Sequence, residues 1–145
     1  MSLDFGAVIP FVHHLGMTLE RFEGGESTLR YAALPEHRNS HGVTHGGALM
    51  TLLDVALATA ARSACPDMGV VTIEMKTSFM RPAPAGEDQA LVSHGKLLHR
   101  TRSLAFVEGA VFDAAGQLCA HATGTFKYVP PAQPAPGQAA TLSTD

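Results

Sequence analysis

The chain predicts an α+β fold, one long buried helix wrapped by a curved antiparallel sheet. Three features of the 145-residue sequence point there. Gly46–Ser63 is the longest helical stretch, free of proline and apolar on nearly every face, which is the pattern of a helix buried all round. After it the apolar period falls from near 3.6 to 2, across a run of strands with no helices between them. Hydrophobic residues make up 46% of the chain and charged residues 16%, enough for one core and too apolar for wholesale disorder. The length fits about one domain, placed at 1–128, with a Pro/Ala-rich tail at 129–145.

Taken in order, Phe5–His14 reads as a short amphipathic helix that Pro10 kinks and Gly16 ends. Met17–Phe22 and Ser27–Ala33 flank Glu23-Gly24-Gly25-Glu26, a turn of hairpin length. Pro35–Thr44 is polar and contains proline and glycine, so it is a loop. The long helix follows and stops at Cys65-Pro66-Asp67. Val70–Met80 alternates, with Val71, Ile73, Met75 and Phe79 expected on one face and Thr72, Glu74, Lys76 and Ser78 on the other. Glu87–Arg100 and Ser103–Asp113 are further strands. Ala114-Ala115-Gly116 turns into a last one, Gln117–Tyr128, with Leu118, Ala120, Ala122 and Phe126 facing one way. The order is helix, two strands, long helix, four strands.

Charge excludes one class of function. Lys and Arg number 10 against 13 Asp and Glu, a net charge of −3, so there is no field to hold a nucleic acid. A local cluster can still hold one small phosphorylated ligand. Cys65 and Cys119 are too few and too far apart for a disulfide framework or a Cys-rich zinc site. Met1–Asp4 carries no positive segment ahead of an apolar stretch, and the apolar run at 48–61 is broken by Asp54 and too short for a bilayer. A soluble, cytoplasmic protein with no membrane partner is the expectation.

The densest polar cluster, Asn39–Gly47, sits just ahead of the long helix. The first helical turn offers free N–H groups and the positive end of the dipole, and glycine at 46 and 47 lets a ligand oxygen approach them. That is oxyanion-hole geometry. A glycine pair placed there only for packing explains the same residues equally well. Asp54 interrupts Leu52-Leu53-Asp54-Val55 and must be partnered, hydrated or shifted in pKa. It lies either on a narrow exposed strip or facing a cleft, where a lone acid serves as base or nucleophile. His37, His41 and His45 recur every four residues, but the intervening glycines and Pro35 argue against a helix, so no metal site is expected. His13, His14, His94 and His99 read as ordinary surface or core histidines, and His121 as exposed or at a subunit contact.

Asn39-x-x-Gly42-x-x-His45-Gly46-Gly47, followed by Leu53-Asp54, resembles the signature of hotdog-fold acyl-CoA thioesterases, most nearly the phenylacetate-degradation (PaaI-like) type. The resemblance continues through Phe79-Met80-Arg81-Pro82, 116–120 and 122–126, and spans about 15–128. It implies the hotdog fold and hydrolysis of a thioester between coenzyme A and an organic acid, with no cofactor beyond the coenzyme A of the substrate. By position, Gly46 donates its N–H to the thioester oxygen, Asn39 holds that carbonyl or water, and His45 sits beside it. Asp54 acts as general base or as nucleophile, and Thr72 supplies a hydroxyl that orients water. Arg81, Arg100 and Arg102, with Lys96 and Lys127, are candidates for the coenzyme A phosphates. Gly47, Met50 and Leu53 are expected at the substrate, whose acyl group is aryl or short to medium in length.

Gly46 and Asp54 are eight residues apart on one helix, roughly 12 Å at 1.5 Å per residue. One carbonyl, with contacts of roughly 3 Å, cannot reach both. If both act on one thioester, Asp54 comes from a second subunit, so a homodimer with shared sites is expected; the resemblance extends this to a tetramer as a dimer of dimers. Two rival readings use the same fold. A dehydratase or hydratase pairs a catalytic histidine with an acid in another arrangement. A non-catalytic acyl-CoA-binding module would have no use for Asp54.

Overall fold

The computed structural model describes residues 2–131; the tail expected at 129–145 falls mostly outside them. Helix α1 spans Pro10–Leu15 and α2 spans Gly46–Ser63. The strands are β1 (Thr18–Glu23), β2 (Glu26–Tyr31), β3 (Gly69–Phe79), β4 (Leu91–Arg100), β5 (Leu104–Phe112) and β6 (Leu118–Val129). They form one antiparallel sheet in the order β1-β2-β4-β5-β6-β3, curved around α2. Among the described residues no helix is long and apolar enough to cross a membrane.

Local chemistry explains the boundaries. Pro10 opens α1 as its first residue rather than kinking a longer helix, because proline's missing N–H costs nothing in a first turn. Gly16, at φ 79°, ends it. Gly24 and Gly25, at φ 61° and 86°, make the two-residue turn joining β1 to β2, a conformation that matches strand twist. β4 begins at Leu91, later than the expected Glu87, because 86–89 form a turn closed by Gln89 N–H on Gly86 O.

The helix packs close to the sheet because three glycines line its bed. A Cβ on Gly95 would overlap the Ala56 carbonyl and sit 2.7 Å from Ser27 Oγ. One on Gly109 or Gly124 would meet the Leu57 methyls at 2.6 or 2.9 Å. Ser27 Oγ donates to Ala56 O at 2.7 Å, tying β2 to the same helical turn. Leu52, Leu53, Ala56 and Leu57 fill the core with Leu29, Val107, Val111 and Phe126. At the far end Tyr128 Oη donates to Ala61 O, and Arg100, stacked on Tyr128, donates to Ala64 O, satisfying carbonyls the helix leaves free.

Three expectations need correction. First, α2 is not buried all round: Gly47, Met50, Thr51, Asp54 and Ala58 form a strip, at helical spacing, that the sheet does not cover. Second, Val71, Ile73, Met75 and Phe79 do not share one face of β3. A bulge between Thr72 and Glu74 breaks the alternation: Thr72, Met75 and Phe79 pair with Phe126, Gly124 and Ala120 on the side facing α2, whereas Val71 pairs with exposed Lys127 on the outer side. Third, Leu118 is exposed at the start of β6, next to a register shift, while Ala120, Ala122 and Phe126 are buried. His121 is half-buried and lies 3.4 Å from Glu108. β3, eleven residues long, ends the sheet, and among the described residues no strand lies beside its outer edge.

Candidate active site

The segment before α2 is a small hairpin rather than an open loop. His45 N–H donates to His37 O at 2.9 Å, Arg38 bridges Thr44, and Asn39 N–H donates to Val43 O at 2.8 Å. The tip turns at Gly42, φ 78°. Asn39 Oδ1 accepts from the N–H groups of His41 and Val43 at 2.9 and 3.3 Å, which leaves its NH₂ group as the outward donor. Thr44 pins the second leg, its N–H on Ala83 O and its hydroxyl on Pro84 O, both at 2.9 Å. His37, His41 and His45 therefore lie on a hairpin, not on one face of a helix.

His45 caps α2: its Nδ1 accepts from Gly47 N–H at 2.8 Å. This fixes the tautomer with the proton on Nε2. It also corrects the expectation for Gly47, whose N–H is consumed by the cap. Gly46, the first helical residue, has no intrahelical acceptor for its N–H, and no other hydrogen-bond partner among the described residues. A cleft of about 650 Å³ opens beside it, lined by Asn39, Val43, Leu49, Phe79, Met80 and Arg81 among others. The free N–H, the positive helix end and the Asn39 carboxamide converge on one apolar-walled space. Such a space suits a polarised carbonyl.

Asp54 stands on the uncovered strip of α2, partly exposed. Thr72, on the helix-facing side of β3, donates its hydroxyl to Asp54 Oδ1 at 2.7 Å. The pair holds the carboxylate in one orientation, with Oδ2 free of donors among the described residues. Asp54 has no ion-pair partner among the described residues; Arg62, two helical turns on, donates to Phe5 O and lies over the Phe22 ring. Gly46 and Asp54 of one chain thus stand at separate points of the same helix, eight residues apart.

The remaining candidates divide. Met50 is exposed one turn before Asp54. Leu53 is fully buried in the core and cannot line a substrate pocket of this chain, because its neighbour Asp54, not Leu53, occupies the open strip. Arg81 lies in the cleft wall, whereas Arg100 is committed to the C-terminal end of α2 and Arg102 is exposed in the β4–β5 turn. Phe79 was legible in the chain as one face of an alternating strand and as part of a motif, not as a residue of the cleft. Its ring packs 3.5 Å from where a Gly46 Cβ would be, so it forms the cleft wall opposite the free N–H. Met80 and Arg81 are set there by their N–H groups, which both donate to Cys119 O.

Beneath the hairpin, Tyr31 is buried, with its hydroxyl 2.8 Å from His37 Nδ1. Leu34 N–H donates to the same nitrogen at 3.1 Å. Burial pushes the Tyr31 hydroxyl up to about 12, so it remains a donor at ordinary pH. Nothing in the sequence signalled that these two residues meet.

A family model described as the thioesterase superfamily matches residues 41–120, from the hairpin tip into β6. A Saccharolobus solfataricus protein provisionally named an esterase is 30% identical over 112 residues, which are 77% of this chain and 78% of that one. Human acyl-coenzyme A thioesterase 13 is 37% identical over 73 residues, so the match spans about half of either chain, 49% of each. Among solved structures, a mutant form of the phenylacetic acid degradation protein PaaI from Thermus thermophilus has a TM-score of 0.74 and 28% identity. The match covers 82% of this chain and 98% of that one.

Proposed function

The chain belongs to the thioesterase superfamily, and from that premise we propose that it hydrolyses acyl-coenzyme A thioesters, with an aryl or short-to-medium acyl group, to the free acid and coenzyme A. The observation that carries this reading is the pair of half-sites on α2: a free Gly46 N–H over an apolar cleft, and an oriented Asp54 carboxylate. The name of the human relative supports the acyl-coenzyme A class.

In the proposed reaction the thioester oxygen accepts hydrogen bonds from Gly46 N–H and the Asn39 NH₂ group. Water attacks the carbonyl carbon while Asp54 Oδ2 takes its proton, and Thr72 keeps Oδ1 occupied. The tetrahedral intermediate collapses by breaking the C–S bond, and the thiolate recovers the proton from Asp54. Direct attack by Asp54 would instead give a mixed anhydride that water then cleaves, with the same products. Arg81 at the cleft is the best placed of the candidate arginines for a coenzyme A phosphate.

Since the half-sites lie roughly 12 Å apart along the axis, each complete site takes Gly46 from one copy and Asp54 from another. The free edge of β3, with Val71 and Ile73 exposed beside it, is a surface that a second copy can pair with. The test is thiol release from a panel of aryl-, short-, medium- and long-chain acyl-CoAs. Asp54→Ala should lower the rate by about 10²–10⁴. Mixed Asp54→Asn and Asn39→Ala chains should regain activity that neither has alone. Tight binding without turnover of any member would replace the hydrolase by a binding module, and mixtures that stay inactive would refute the shared site.

A further inference from the structure

We infer that Tyr31 and His37 are positioning residues for the reaction, acting on the carbonyl-binding half-site through the hairpin backbone; this rests on the hydrolase reading above. The connection is continuous. Tyr31 ends β2 inside the core, and its hydroxyl donates to His37 Nδ1 at 2.8 Å. Leu34 N–H donates to the same atom, and the two rings stack with centroids 5.8 Å apart. His37 Nδ1 is thus an acceptor held by two donors, which fixes the ring and with it the residue's backbone. The His37 carbonyl in turn accepts His45 N–H at 2.9 Å, the residue immediately before Gly46.

Asn39 follows His37 by two residues on the same leg, so one anchored imidazole sets both donors. No other side chain of that leg is locked into the core: Pro35, Glu36 and Arg38 are exposed. Neither Tyr31 nor His37 lines the cleft beside Gly46; His37 borders a smaller hollow on the other side of His45. Their effect is on alignment, and an oxyanion donor displaced by about 1 Å loses much of its value.

Tyr31→Phe removes one donor to Nδ1, and His37→Leu removes the acceptor. His37→Asn places a carbonyl oxygen where Nδ1 stood. With the acyl-CoA that the unaltered protein cleaves fastest, kcat should fall about tenfold in Tyr31→Phe and further in His37→Leu, with KM within about twofold. His37→Asn should recover most of the loss. A purely structural role would lower the melting temperature without this split between kcat and KM or the rescue. Unchanged kcat in Tyr31→Phe and His37→Leu, or a His37→Asn chain as impaired as His37→Leu, overturns the inference. The backbone amide resonances of His45 and Gly46 in the free protein give an independent reading. They should shift in Tyr31→Phe, and unmoved resonances overturn the inference even if no acyl-CoA is cleaved. Absence of turnover in the unaltered protein, by contrast, counts against the hydrolase reading alone.

Discussion

Gly95→Ala tests how α2 is held against the sheet and whether that distance matters to the site. Gly95 is in ordinary strand conformation, so alanine brings no backbone strain, and in an open strand it would be mildly favourable. The cost is contact. The new methyl would overlap the Ala56 carbonyl and stand 2.7 Å from Ser27 Oγ, both of them parts of the hydrogen bond that ties β2 to α2. To reach normal packing the helix and β4 must separate by about 1 Å, with overpacking worth about 1–3 kcal/mol. Losing the Ser27–Ala56 bond adds about 1 kcal/mol. The expected destabilisation is about 3 kcal/mol, or about 10 °C in melting temperature for a chain of this size. Because Asp54 and Thr72 sit on elements whose spacing would change, thiol release should fall with stability even at temperatures where the variant is folded. Circular dichroism melts and rate measurements at 20 °C, about the temperature of maximum stability, provide the assay. Gly116→Ala, at φ 80° with open space around it, is the control and should cost only about 1 kcal/mol of strain. A Gly95→Ala chain that melts within about 2 °C of the parent would refute the account of how the helix is seated.

Gly46→Ala keeps the N–H but adds a methyl at the cleft: its Cβ would meet Phe79 at 3.5 Å, an ordinary contact, so the melt should barely move while the narrowed approach lowers kcat about tenfold. An unaffected rate would show that the absence of a side chain at position 46 is not what admits the thioester oxygen. His45→Ala deletes the cap on Gly47 N–H and should cost about 1 kcal/mol, read from urea unfolding. Ile73→Lys, at an exposed position of β3, should yield monomers in sedimentation velocity and abolish turnover; an active monomer would contradict the shared site. The chain has two tyrosines and no tryptophan, which makes phenol titration readable. Burial raises both Tyr31, to about 12, and Tyr128. A pKa raised on folding gives stability that is complete below the unfolded value and is lost as pH rises through the folded one. Unfolding free energy should therefore decline from about pH 10 to about pH 12, with Tyr31 worth up to about 3 kcal/mol. Absorbance at 295 nm that rises at pH 10 in the native protein, as it does in urea, would show that the phenols are not protected.

Local chemistry made much of the molecule legible in the chain. The ends of α2 follow from the glycine pair on one side and Cys65-Pro66-Asp67 on the other, and they match at Gly46–Ser63. The Gly24-Gly25 turn, the run of antiparallel strands, and the places of Asn39, Gly46 and Asp54 around one helix are likewise properties of short segments. Only the tertiary structure decided which way several of these residues face. An all-apolar helix carries no marker for its open side, so Met50 and Leu53 could not be told apart until the sheet covered one and left the other. Alternation put Thr72 opposite Val71 and Ile73, which it is. Its meeting with Asp54 came from packing, and the bulge beside it broke the pattern that would have carried Val71, Ile73 and Phe79 along one face. Gly47 looked equivalent to Gly46 until a side chain two residues away claimed its N–H. Arg100 looked like any basic residue until Ala64 O, 36 residues away, proved to be its acceptor. Periodicity and capping depend on neighbours within a turn or a strand; facing, pairing and hydrogen-bond ownership depend on which distant segment arrives, and only the folded chain brings it there.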